Sequence, residues 1–437
     1  MDQVTQHRSN ESTGRGATWL MALALIGFAL LMFRQILAPD CCLFSTDDNI
    51  GSVAGSKSIL PQAFFGAWGD TPYLGNGGKF MPHSWAYLLV WLLPVKMYIN
   101  WVHALDLIIA SFFSVLFMRE QKAGWASIAL GLLTAFWLGS NLTLTYAGHL
   151  GKYGVLMLAS VALYCISRAL ARQPSLLWGI LAGGAIGFMF LEQPDVALFF
   201  GFILGAYALF LAVRQGRANG TWVKSAIALS LMGGIGLLIS ASSTLSSYAF
   251  NVKGAVSMQT ESPKANWDFA TQWSWPPDEC IDFIAPGYMG WRSGEPAGPY
   301  WGRMGRSAGW EQTRQGFMNF KLENQYLGAI PILLALFAVL MATAGIRNRN
   351  DPRNTPNDTE DAERRAEIIF WGCVAVVTLL LAFGKFFPLY ALFYKLPMVS
   401  SIRNPNKFLH IFQLALGILA AYGLDGLLCR WKGKIRM

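Results

Sequence analysis

Two adjacent carboxylates, Asp47 and Asp48, stand just past the first long apolar run, within Ser45-Thr46-Asp47-Asp48-Asn49. An acidic pair held at a membrane surface can bind a divalent metal, or one member can accept a proton as general base. The same residue types favour caps and turns, so a plain loop is the competing reading. A second cluster is Tyr146-Ala-Gly-His149-Leu-Gly-Lys152-Tyr153. Here His149 and Lys152 offer donors suited to a phosphate, while Gly148 and Gly151 permit close backbone approach. Lipid-headgroup snorkelling is the alternative for Lys152. Glu192-Gln193-Pro194-Asp195 sets two carboxylates at the ends of apolar stretches, a costly position unless they face a polar cavity. Asp106, close after His103, poses the same question nearer the membrane interior. In the segment from Asp282 to Arg303, aromatic rings such as Trp301 can stack on a sugar, and Arg292 or Arg303 can clamp a phosphate. An interfacial aromatic belt explains the same composition. Lastly, Leu396-Pro397 through Lys407 carries Arg403 and Lys407 ahead of the final apolar run, with Asn404 a candidate cap and Pro405 suited to a first helical turn. Zinc-type spacing, GxSxG, HExxH, phosphate-loop and dinucleotide patterns are missing from usable contexts.

The elements that must position these residues are ten apolar runs: 18–38, 101–118, 124–142, 154–168, 175–192, 195–213, 223–245, 326–345, 367–384 and 408–428. Each approaches the ~20 residues a helix needs to cross ~30 Å of hydrocarbon. The 437 residues are 54% hydrophobic and 14% charged, too apolar for a soluble domain of this size. Alternate connections hold the cations: Arg119 and Lys122; Arg168 and Arg172; Arg214, Arg217 and Lys224; Arg347, Arg349, Arg353, Arg364 and Arg365. The tail 429–437 adds Arg430, Lys432, Lys434 and Arg436. The positive-inside rule then predicts both termini in the cytoplasm and an even number of spans. The net charge of +9 is thereby assigned to topology and anionic lipid, not to nucleic acid.

This topology sends two long loops, 39–100 and 246–325, to the outer face. Residues 1–17 read as a disordered cytoplasmic tail, and the first span as a retained helix with no signal-peptide cleavage site. Within the first loop, 85–95 is too short to span and reads as an interfacial or re-entrant helix stopped by Pro94. Gly183-Gly184 and Gly233-Gly234 are candidate close-packing sites between helices. The cytoplasmic linker 347–366 reads as solvated and unstructured in its middle. Cys41, Cys42 and Cys280 fall on the outer side, where a Cys42–Cys280 or Cys41–Cys280 disulfide would tie the loops together. No internal repeat of the transporter kind is visible.

In their order along the chain, these motifs resemble the YfhO-like bacterial membrane proteins of the GT-C glycosyltransferase superfamily. The resemblance rests on the acidic loop with Asp47-Asp48, the Ala-Gly-His149-Leu-Gly-Lys152 turn, Asp282-Phe-Ile-Ala-Pro-Gly-Tyr with Tyr300-Trp301-Gly302-Arg303, and Ser-Ile-Arg403-Asn-Pro-Asn-Lys-Phe before the last run. It covers residues 18–428. It implies an all-α, multi-pass GT-C-like bundle of about ten transmembrane helices in the bacterial inner membrane. The implied activity is sugar transfer from a polyprenyl-phosphate donor on the outer face, with inversion. Asp47 or Asp48 would be the base or metal contact, and His149, Lys152 and Arg403 would face the phosphate. Glu192, Arg292, Trp301 and Arg303 complete the expected substrate-binding set. A divalent metal, if used, would sit on Asp47 and Asp48. YfhO-like chains commonly continue into further spans and a C-terminal outer domain, so a partner membrane subunit is expected beside membrane lipid and the donor. Two other functions fit the same topology: a transporter or flippase of a lipid-linked or amphipathic solute, and a non-catalytic scaffold with this fold.

Overall fold

The structure is a computed structural model that describes residues 2–43, 45–69, 76–79, 81–248, 262–344, 358–396 and 399–435. Among these, the helices are α1 (Asp2–Met32), α2 (Ile50–Ser58), α3 (Trp85–Leu92), α4 (Val95–Glu120), α5 (Trp125–Phe136), α6 (Ser140–Ala147), α7 (Leu150–Ala169) and α8 (Leu176–Glu192). They continue with α9 (Pro194–Asn219), α10 (Trp222–Tyr248), α11 (Pro263–Ala270), α12 (Trp310–Thr313), α13 (Ala329–Thr343), α14 (Asp358–Ala382), α15 (Pro388–Tyr394) and α16 (Phe408–Ile435). One short antiparallel ribbon pairs Ala67–Gly69 with Asn76–Lys79.

Every predicted apolar run falls on a helix. By length and composition, 7 of the helical stretches can cross a membrane: α4, α5 with α6, α7, α9, α10, α14 and α16. Gly16–Met32, α8 and α13 are apolar but shorter. The protein is thus a helical, multi-pass membrane protein. The central helix is α16, packed on α5, α13 and α14, with 78% of its apolar window buried. By contrast, α10 is only 28% buried, leaning on α8 with much of its surface turned outward. Close crossings use glycine. A Cβ on Gly131 would lie 2.9 Å from the Gly417 carbonyl, and one on Gly417 would lie 2.7 Å from the Gly131 carbonyl, so α5 and α16 touch backbone to backbone. Gly183 meets the Met232 carbonyl of α10 at 2.6 Å in the same sense, as expected of a packing site. Gly184, Gly233 and Gly234 face open space instead.

Several boundaries differ from the sequence reading. Helix α1 runs back to Asp2, replacing the expected disordered tail. Helix α4 starts at Val95 rather than 101, because Asn100 is buried against the first loop: its Oδ1 accepts from the Leu43 amide at 2.9 Å, and Lys96 donates to the Pro39 carbonyl. The predicted short helix before Pro94 is α3, capped by Ser84. The third run continues to Ala147 but breaks at Gly139, where φ is 53° and the Tyr326 backbone fills the space a side chain would need. The fourth begins at Leu150, so Lys152 lies inside a helix and not in a loop. Helix α14 extends into the predicted linker as far as Asp358, tied by Arg364 to Asp425 at 2.6 Å and by Arg365 to the Ala342 carbonyl at 3.1 Å. The rest of that linker from 345 to 357, and residues 249–261 of the second loop, lie outside the described residues.

The described remainder of the second loop folds into a cap on one end of the bundle. At its centre Lys321 meets Asp282 at 2.6 Å, both side chains fully buried. Trp275 stacks on Phe283 at 5.5 Å. Glu279 accepts from the Tyr300 hydroxyl at 2.7 Å and from the Arg303 amide at 2.6 Å.

Candidate functional site

Three chain segments far apart in sequence meet beneath this cap. The loop at 45–49 lies along the end of α6: the Thr46 amide donates to the Tyr146 carbonyl at 2.9 Å and the Asp47 amide to the Ala147 carbonyl at 3.2 Å. Asn49 then caps α2 through its side chain, accepting from Ser52 at 3.1 Å. The glycines of the second motif explain the fit. Gly148 holds a left-handed φ of 79°, and a Cβ there would lie 2.7 Å from the Asp48 amide nitrogen. A Cβ on Gly154 would lie 2.8 Å from Cγ of Glu192. These bare positions let α7 accept the acidic loop on one side and the end of α8 on the other.

The result is a cavity of about 1220 Å³. That exceeds the roughly 300–1,000 Å³ of ordinary small-molecule sites. Its polar end is lined by Asp47, Asp48, His149, Lys152, Glu192, Asp195, Arg403 and Lys407. Its apolar part runs between α8, α9 and α10, past Phe190, Leu198, Phe202, Met232 and Leu237 to Leu209. At 1.5 Å per residue, the lining from Asp195 to Leu209 on α9 reaches about 21 Å along the helix.

Within the polar end, most charges are already paired. Asp47 Oδ2 lies 3.0 Å from His149 Nε2. Lys152 Nζ lies 2.7 Å from Glu323 Oε1, with both side chains 7% exposed. Lys407 is paired with Asp195. Glu192 Oε1 accepts the Ala86 amide at 3.1 Å. Arg403 is exposed, stands over the Phe269 ring at 5.3 Å and has no ion-pair partner among the described residues. Asp48 accepts only a long contact from the Leu150 amide at 3.4 Å. Burial raises the Asp48 carboxyl above the ordinary carboxylate range; the Leu150 amide and His149 pull it back, and Asp47 adds to the rise. The cavity therefore presents a half-buried carboxylate and an unpaired guanidinium at the mouth of a long apolar channel.

The sequence-predicted residues thus divide. Asp47, Asp48, His149, Lys152, Glu192 and Arg403 converge on one cavity. Arg292, Trp301 and Arg303 do not line it. Arg292 stacks on Tyr146 at 3.7 Å and pairs with Glu295 at 3.4 Å, while Arg303 pairs with Asp278 and lies over Phe386. Trp301 is 58% exposed on the cap, beside Tyr288. Asp106 accepts from the Trp85 indole at 2.9 Å, which answers its burial. All six cysteines are free, so neither expected disulfide forms. Pro405 opens the turn into α16 as expected, but Asn404 gives no side-chain cap and holds φ at 72°.

Glu323 is the functional candidate that sequence reading missed. It precedes an apolar run in Lys321-Leu-Glu-Asn, and a lone carboxylate at that position was the available signal. Among the described residues, no group of three or more His, Cys, Asp and Glu side chains is arranged to hold a metal. A hard cation at Asp47 and Asp48 would take one or two protein carboxylates and complete its shell with substrate oxygens, the usual Mg²⁺ pattern. No known protein family, curated protein or solved structure matches this chain.

Proposed function

We propose that this protein is a GT-C-like glycosyltransferase of the bacterial inner membrane, with both termini cytoplasmic, that transfers a sugar from a polyprenyl-phosphate donor on the outer face. The observation that carries this reading is the shape and lining of the cavity: an apolar channel between α8, α9 and α10 opening onto Asp48 and Arg403. A lipid-linked sugar has the same division, with an isoprenoid tail in the bilayer, a phosphate at the interface and a sugar beyond it. Arg403 suits the phosphate, because a guanidinium forks onto phosphate oxygens and this one is not neutralised by a neighbour. Asp48 suits the acceptor, since a raised carboxyl accepts a proton more readily than an ordinary one.

In this mechanism Asp48 removes the proton of the acceptor hydroxyl as its oxygen attacks the anomeric carbon. The bond from that carbon to the phosphate oxygen breaks, its electron pair stays on the prenyl phosphate, and Arg403 stabilises the charge that develops. A single displacement inverts the anomeric centre. Asp47, tied to His149, positions the loop and does not compete for the proton. The transporter reading has less support, since Asp106 and Asp195, its internal charged residues, are already engaged by Trp85 and Lys407.

The test uses purified protein in lipid nanodiscs with a panel of polyprenyl-phosphate sugars and measures released polyprenyl phosphate. Turnover lost in Asp48→Asn while donor binding persists is the expected result. No binding and no turnover with any donor would remove the transferase reading in favour of a transporter or scaffold.

A further inference from the structure

One carboxylate beside the cavity serves three partners. Glu323 comes from the strip that leads from the cap into α13, and its side chain is 7% exposed. Oε1 receives Lys152 of α7 at 2.7 Å and faces His149 Nδ1 at 3.8 Å, while Oε2 faces His410 Nε2 of α16 at 3.6 Å. The last two are electrostatic contacts beyond hydrogen-bond length, and Oε2 has no hydrogen-bond partner. Burial alone would raise this carboxyl, but the Lys152 ammonium and the two imidazoles outweigh it and hold it well below the ordinary range. The strip is itself fixed, since the Asn324 amide donates to Thr143 Oγ1 at 2.8 Å and the Tyr326 backbone fills the notch at Gly139.

Lys152 and His149 both line the cavity, yet their charged ends turn away from its centre toward Glu323 and Asp47. We propose that Glu323 is a positioning residue that holds the Lys152 ammonium and the His149 imidazole in the cavity wall, leaving Arg403 as the cation that meets a phosphate. A buried ammonium released from such a pair must find another anion, because an unpaired charge in this setting is strongly unfavourable. The nearest open volume is the cavity itself. Removing the Glu323 charge should therefore add a second cation to the phosphate end. A product phosphate would then be held more tightly and leave more slowly, which gives the wild-type arrangement its use. The ligand half of this inference rests on the donor proposed above; the burial of Lys152 does not.

Two measurements on the full chain in lipid nanodiscs test it. The first uses farnesyl phosphate as probe, with binding followed by tryptophan fluorescence, for wild type, Glu323→Gln, Lys152→Met and the double variant Glu323→Gln/Lys152→Met. Glu323→Gln is expected to bind about tenfold more tightly, the equivalent of about 1.4 kcal/mol, and the double variant to return to wild-type affinity. A purely structural role predicts the reverse, weaker binding in step with lost thermal stability, and that result would overturn the proposal. Should farnesyl phosphate fail to bind wild type, the donor reading fails, and the second measurement decides the positioning role alone. That measurement is reductive methylation of lysines, read by mass spectrometry. Lys152 should be protected in wild type and modified in Glu323→Gln, with Lys407 protected in both. Equal protection of Lys152 in the two proteins would sink the proposal whatever the ligand.

Discussion

Asp47 Oδ2 and His149 Nε2 stand 3.0 Å apart across 102 positions of sequence, joining the loop after α1 to the turn before α7. This contact decides which of two adjacent aspartates is left to react. Asp47 spends its charge on the imidazole, whereas Asp48 faces the cavity with one weak amide contact. Two substitutions should then move the same titration in opposite directions. The acid limb of kcat/KM rises as Asp48 loses its proton, at a pH above the ordinary carboxylate value of about 3.9. His149 lowers the Asp48 pKa and Asp47 raises it. Accordingly His149→Gln should shift the limb to higher pH, and Asp47→Asn should shift it, by less, to lower pH. Asp48→Asn should lose about 10²–10⁴-fold in kcat and the limb with it. A limb that stays in place in His149→Gln would assign the proton to another group.

The cap depends on Asp282 and Lys321, which are fully buried against each other between Trp275 and Tyr300. Removing one member leaves the other charged and unpaired in the interior. Asp282→Ala or Lys321→Met should each destabilise the cap by about 3–5 kcal/mol. The pairing is less valuable than its loss suggests, so Asp282→Leu/Lys321→Met should recover much of that stability. Hydrogen exchange over 270–327, compared with exchange over α16, separates local loosening of the cap from global unfolding.

Legibility in the sequence followed the range of the interactions involved. All ten apolar runs became helices because hydrophobic length is a local property. The boundaries that moved were set by distant partners: Asn100 by Leu43, Gly139 by the Tyr326 backbone, and Arg364 by Asp425. The same holds at the site. Asp47, Asp48, His149 and Lys152 were readable from residue type within short motifs. Glu323 was not, because its role exists only once the strip before α13 crosses α7 and α16. Arg292 and Arg303 were misassigned for the converse reason: their types fit phosphate, but Tyr146 with Glu295, and Asp278 with Phe386, occupy them.

The free thiols offer a test of which face the loops occupy. Cys41 and Cys42 are exposed, whereas Cys280 is half-buried and its thiol is pushed by burial up to about 11. At pH 8 the thiolate fraction of Cys280 is then about 10⁻³, and the thiolate is the reacting form. A membrane-impermeant maleimide applied to intact cells should label Cys41 and Cys42 within minutes and Cys280 far more slowly. Labelling that requires cell lysis would invert the proposed orientation.

Glycine has two opposite uses around the cavity, and substitution should separate them. At Gly148 the backbone is left-handed and the acidic loop lies within 2.7 Å of where a Cβ would stand. Gly148→Ala must strain the turn or displace Asp47 and Asp48, a cost of about 1–3 kcal/mol, and it should abolish turnover even where the protein still folds. On the channel, Gly205 of α9 and Gly233 of α10 line the cavity, and a Cβ at either meets nothing within 4 Å. Gly205→Leu and Gly233→Leu should therefore keep or raise thermal stability, since glycine inside a helix costs about 1 kcal/mol relative to better helix formers. The added side chains would instead take up channel volume. If a prenyl tail lies between α9 and α10, both variants should weaken binding of a long polyprenyl phosphate more than that of farnesyl phosphate. Titration of the two probes against each variant reads this directly. Equal affinities across probes and variants would move the tail to a different face of the bundle, whereas a loss confined to the longer probe would fix the channel as its seat.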